Sequence, residues 1–364
     1  YADKEAKIMI IEPKGVTNTG DVVNDLTAKN DQWIWNMILW FYEHFNWKNM
    51  KYLVPLLYLI FITSISADTS CKGVCVKLKK DFSVENSEQS FSYKAYEERK
   101  IDNASYIDSV WNNSTIKNLK ITNSSIVESS FSSVLVGNAV IRNTNFSENK
   151  LSYSRYNKAS FMNVNLEETE MNNTTFNEVS FVYVDATDAN FNSTTMPQAK
   201  IYNSIFEDVE FKYATLIMSD IKSTDFLDSE MNNTNFLKTK ITDVQFDDVK
   251  LNSAVFTFST IKEVVFDKSE IKYASFSSSK IDDSTFVDAE LNNADFSMSE
   301  ISNVDFSEAD LTSTNFAFAT LKNVNLSNAK LNYANFDGAT FINVKIDGAK
   351  FNTVSDRLSN GSPF

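Results

Sequence analysis

Residues 241–300 read ITDVQFDDVK LNSAVFTFST IKEVVFDKSE IKYASFSSSK IDDSTFVDAE LNNADFSMSE. Every fifth residue is large and apolar: Ile241, Phe246, Leu251, Phe256, Ile261, Phe266, Ile271, Phe276. Two residues before each stands a small one, as in Ala254, Ser259, Val264, Ser269 and Ala274. The other three positions are mostly polar. A helix repeats its apolar face near 3.6 residues and a strand near 2. A period of five fits neither. It fits a chain that turns a corner every five residues and points one large and one small side chain inward.

Working outward, the series runs without a slip from Ile101 to Phe351, and only Ala186 in it is small. Leu119 and Asn149 are the clear exceptions among the small positions. A second period of 20 overlies the first. One column holds Ile201, Ile221, Ile241 and Ile261, another Phe206, Phe226, Phe246 and Phe266, a third favours Leu and Met, and a fourth holds Phe236, Phe256, Phe276 and Phe296. Residues 20 apart therefore stack, and four five-residue sides close one coil. The expected fold is an all-β solenoid of about 12 coils, roughly 60 Å long at the spacing of paired strands.

These residues resemble the pentapeptide-repeat family, whose pattern is A(D/N)LxX. Close matches are Ala189-Asn190-Phe191, Ala294-Asp295-Phe296, Ala309-Asp310-Leu311 and Ala334-Asn335-Phe336. The resemblance covers about residues 101–351. It implies a right-handed quadrilateral β-helix with no shared catalytic residues. Some members resemble duplex DNA in shape and charge and inhibit DNA topoisomerases.

The first hundred residues differ. Residues 32–47 crowd Trp33, Trp35, Trp40 and Trp47 together with Phe41, Tyr42 and Phe45, and residues 52–67, YLVPLLYLIFITSISA, carry no charge. Leu53, Leu56, Leu57, Ile60 and Phe61 supply the apolar run. Sixteen residues fall short of the ~20 that span a bilayer, but a helix running back through the aromatic stretch is long enough. Tryptophans at one end suit a membrane interface. The expectation is a retained N-terminal α-helical membrane anchor over 32–67. A cleaved secretory signal at 50–67 and a buried soluble helix are the alternatives. The signal-like pattern exports the rod, whereas Lys72, Lys77, Lys79 and Lys80 would hold it inside; the reading adopted is export of a single-pass protein. Cys71 and Cys75, just past the anchor, are a candidate disulfide in an oxidising compartment. The domains read as 1–31 N-terminal segment, 32–67 membrane helix, 68–100 linker and rod cap, 101–351 rod, and 352–364 tail.

Composition excludes more than it assigns. Seven glycines among 364 residues leave no Gly-rich phosphate loop, and the one histidine, His44, excludes His-based metal sites and triads on this chain. No catalytic, cofactor or metal residues are expected. Residues 101–350 hold 34 acids and 20 bases, whereas residues 1–100 hold 13 of each, so the net charge of -14 resides in the rod. One acidic column runs Glu210, Glu230, Glu270, Glu290, Asp310, interrupted by Lys250. It reads either as a solvated face or as a surface for a basic partner. A basic stripe for nucleic acid is absent. Eleven Asn-x-Ser/Thr triplets are at the level that chance gives in so Asn-rich a chain.

The tail after Phe351, NTVSDRLSNGSPF, is too short and polar for a helical cap. An uncapped last coil would expose Phe336, Phe341, Ile346 and Phe351 to a second copy or a partner. The expected function is a non-catalytic, membrane-anchored structural or interaction protein that presents a rigid rod to protein partners, as an accessory subunit of a membrane complex. The alternative is a DNA-mimicking inhibitor of a DNA-binding enzyme.

Overall fold

The computed structural model describes residues 86, 87 and 89–364. Trp33, Trp35, Trp40, Trp47, the apolar run from Leu53 to Phe61, and Cys71 and Cys75 lie outside the described residues. Among the described residues there is no helix; all pairing is parallel β.

The pairing confirms the 20-residue coil. Residue i pairs with i+20 from Asn86↔Tyr106 to Thr340↔Asn360. Ile201, Ile221, Ile241 and Ile261 are successive partners. The bonds alternate in direction. Phe256 N–H donates to Ser275 C=O at 2.6 Å, and Ser275 N–H to Ala254 C=O at 2.9 Å. Successive coils thereby satisfy each other's backbone polar groups. The ladder already includes Ala95–Asp102 and continues past Phe351 to Asn360.

Each coil has four faces, named here by the large residue at their centre: face one by Ile261 and its stacked equivalents, face two by Phe266, face three by Ile271, face four by Phe276. Each face ends in a corner two residues later, and there the backbone is left-handed. Glu263, Lys268, Tyr273 and Ser278 have φ of 55°, 57°, 60° and 56°. The turn closes on the next small residue, as where Ala274 N–H donates to Ile271 C=O. A left-handed third residue is the signature of a type II-like turn. It bends the chain toward the next face and explains the period of five.

The core is two aromatic ladders. Phe246, Phe266 and Phe286 stack at 5.1 and 4.6 Å on face two, and Phe256, Phe276 and Phe296 at 4.7 Å on face four. The ladders meet edge to face, Phe266 against Phe276 at 6.1 Å and 88°, an arrangement that suits the ring quadrupole.

The small positions are small because they pack beside the corner, and Ser and Thr serve there because their hydroxyls join coils. Ser229 Oγ donates to Phe206 C=O at 2.8 Å and accepts Val209 N–H at 3.1 Å. Asn149, an exception in the sequence pattern, is fully buried yet satisfied. It accepts Ser129 N–H at 2.8 Å and donates to Ile126 and Phe146 carbonyls. At the first coil Arg99 occupies a small position. Its guanidinium lies 5.0 Å from the Phe91 ring and 5.2 Å from Trp111.

The far end is not bare. Residues up to Asn360 add a further partial coil, and beyond it the Phe364 ring sits 5.1 Å from Phe336, 5.9 Å from Phe341 and 5.5 Å from Phe351.

Candidate interaction surface

No group of three or more His, Cys, Asp or Glu converges to hold a metal among the described residues. On geometry, the candidate site is the rod's outer surface, where the charged columns lie.

Glu210, Glu230, Lys250, Glu270, Glu290 and Asp310 are bridged neighbours in one row on face three, as the period of 20 requires. Much of that row is neutralised. Glu230 is paired with Lys212 and, at 2.8 Å, with Lys250. These two ammonium groups hold its carboxyl well down, at about 2. Glu290 pairs with Lys272, and Asp310 with Lys330 at 3.2 Å. Glu210 and Glu270 accept side-chain amides of Asn190 and Asn252. Of the rod-end residues, Phe336 is fully buried, Ile346 is half-buried, and Phe351 is exposed.

The stronger acidic row was missed in the sequence. It is the corner after face two: Asp108, Glu128, Glu148, Glu168, Asp188, Asp208, Asp228 and Asp248, then Lys268, Asp288 and Glu308. All are exposed and left-handed. Among the described residues none of these carboxylates has a lysine or arginine partner. Asp208 has its carboxyl raised by partial burial and then by Asp188 and Asp228 on either side. Asp247, one residue before the row, is raised by burial and by Asp267 and Asp248. The signal was available as a further period-20 column, two residues after the large Phe of face two.

Sorting outward residues 101–340 by face shows how uneven the rod is. Face two with its two bounding corners holds 20 acids and one base, Lys268. Face four, directly opposite, holds three acids and four bases with its corners. A row of like charges at strand spacing, interrupted only by Lys268, raises the local potential for a cationic ligand.

A family model described as pentapeptide repeat region matches residues 199–276 and 273–336. One described as pentapeptide repeats (8 copies) matches 159–196 and 321–355. Together they span more than half of the chain. No curated protein matches it. Among solved structures it is similar to HetL, a pentapeptide repeat protein involved in heterocyst differentiation regulation from the cyanobacterium Nostoc sp. They are 17% identical over 59% of this chain and 86% of HetL, with a TM-score of 0.41. It is also similar to a pentapeptide repeat protein of the Arabidopsis thaliana thylakoid lumen, 28% identical over 26% of this chain and 56% of that one, TM-score 0.19. QnrB1, a plasmid-mediated fluoroquinolone resistance protein, is 14% identical over 74% of this chain and 92% of its own, TM-score 0.19.

Proposed function

The chain belongs to the pentapeptide-repeat family, and from that premise we propose that it is a non-catalytic, membrane-anchored rod whose face two docks a basic protein partner. The supporting observation is the unpaired acidic corner from Asp108 to Asp248. Residues 32–67 tether the right-handed rod to the membrane as a single pass, with the rod on the exported side.

The experiment places a photo-crosslinking residue at Leu227 on face two, in native membranes. The expected adduct is one basic protein, reduced by added salt and lost when Asp188, Asp208, Asp228 and Asp248 are changed to Asn. A rod that yields no such adduct would sink the reading. Protease protection in sealed vesicles, read at the C-terminal tail, decides the side.

The second reading, DNA mimicry, is favoured by the same acidic row. Charge density weakens it. Face two carries a net 19 negative charges over ~58 Å, about one per 3 Å at strand spacing. Duplex DNA carries one per ~1.7 Å. A rod found on the cytoplasmic side that inhibits a DNA-binding enzyme would favour mimicry over the scaffold.

A further inference from the structure

Face four differs from the rest of the rod in a second respect. Among the described residues, eleven of the sixteen exposed large hydrophobic side chains lie on it or on its bounding corners. The tyrosines among them are regularly spaced. The corner before face four reads Tyr213, Asn233, Ser253, Tyr273, Asn293, Ser313, and the same Tyr-Asn-Ser order holds from Tyr93 to Tyr333. Tyrosine thus recurs every 60 residues, which is every third coil. Tyr153, Tyr213, Tyr273 and Tyr333 are 66%, 65%, 65% and 64% exposed. The corner after face four exposes Met218, Phe258, Met298, Phe318 and Leu358, without the strict three-coil period.

We propose that face four binds face four of a second copy, with the two rods antiparallel. Four observations support it. First, the tyrosine row alternates one large knob with two smaller residues, which leaves a hole between knobs. A two-fold axis perpendicular to the rods sets tyrosine row against tyrosine row, and an offset of one coil seats each ring over the partner's Asn and Ser. Second, the period is about 14 Å, three coils at strand spacing. A partner helix advances about 16 Å in three turns. From Tyr93 to Tyr333 it would drift by about 7 Å, half a period, whereas a second rod has the same rise and keeps register. Third, the face is large enough. Twelve coils give ~58 Å of length, and five extended residues give up to ~16 Å of width. The resulting ~900 Å² matches the roughly 800 Å² per partner of a stable interface. Fourth, face four is nearly neutral, and pairing through it leaves both acidic face-two surfaces outward and furthest apart. Tyrosine also suits the role, since it buries a large ring at low conformational cost while its hydroxyl stays wet. This pairing does not depend on what binds face two.

The test is sedimentation velocity of the full chain in detergent. The variant changes Tyr213, Tyr273, Tyr333, Phe258 and Phe318 to Ser; all five are exposed, so the core is untouched. The wild type is expected as a dimer and the variant at half that mass, with the same β circular dichroism. Tyr183→Ser, at the corner between faces one and two, is expected to leave the dimer intact. As an independent readout, a photo-crosslinking residue at Ser253 is expected to capture face-four peptides of another copy. A monomeric wild type overturns the proposal. So does a dimer that survives the five changes but is lost with Phe351→Ser, or capture at position 253 of a different protein.

Discussion

The rings of Phe276 and Phe296 lie parallel, 2° apart in plane, with centroids 4.7 Å apart. Phe276 stacks as closely on Phe256 and meets Phe266 and Phe286 edge-on. Phe276→Ala removes four ring contacts and leaves a cavity in a core with no route to collapse. The expected loss is about 3–5 kcal/mol, read by urea unfolding. Phe276→Leu should cost less, since it keeps most of the volume. Hydrogen exchange should rise most in coils 256–296, because each coil of a solenoid contacts only its neighbours.

Ser229 tests the hydroxyl ladder. Its Oγ joins Phe206 C=O and Val209 N–H of the preceding coil. Ser229→Ala keeps the packing and orphans both backbone groups. A loss of about 1–3 kcal/mol is expected. A melting temperature equal to the wild type's would show that the ladder is not a stabilising element.

Gly137 sits on face four against the neighbouring coil. A Cβ built there would stand 2.5 Å from Lys117 C=O, a backbone atom. Gly137→Ala should therefore destabilise by about 1–3 kcal/mol through overpacking, visible as a lowered melting temperature. Ala317 occupies the same column near the far end of the rod, so the restriction is local to the coils around 137.

Asp208 and Glu230 should respond to pH in opposite senses. The Asp208 carboxyl is raised by burial and its acidic neighbours, so its ionised form opposes folding at neutral pH. Asp208→Asn should raise the melting temperature at pH 7, and the gain should vanish as pH falls below the ordinary aspartate value near 3.9. Glu230, held at about 2 by Lys212 and Lys250, contributes stability above the ordinary glutamate value near 4.3. That contribution is lost as pH falls toward 2. Glu230→Gln should lower the melting temperature at pH 7 and converge with the wild type near pH 2. Both carboxylates still reach solvent, so each effect is on the order of 0.5 kcal/mol.

The rod was legible because its core obeys strict arithmetic. A large residue every five and a like residue every 20 can be satisfied only by a corner every fifth residue and a stack every fourth corner. Asn149 looked like a defect in that pattern, because a sequence cannot show that two backbone groups of the preceding coil and one of its own meet its amide. The acidic site was only half legible. Glu230 and Glu290 stand out as a column, but the lysines that neutralise them, Lys212 and Lys272, lie 18 residues earlier, a separation that becomes contact only when coils stack. The unpaired row through Asp208 was equally present in the sequence. It becomes notable once its corner is seen to be exposed on every coil and its neighbours to be carboxylates.

The sequence alone determined the five-residue step, the 20-residue coil, the inward residues and the family, since all of these follow from which side chains avoid water. The tertiary structure decided which outward columns share a face. That assigned the acids to face two, the tyrosines to the edge of face four, and the tail with Phe364 to the end of the rod. The reason is physical: burial is written into each residue's polarity. The pairing of surface charges and rings depends on distances that exist only after the coils have closed.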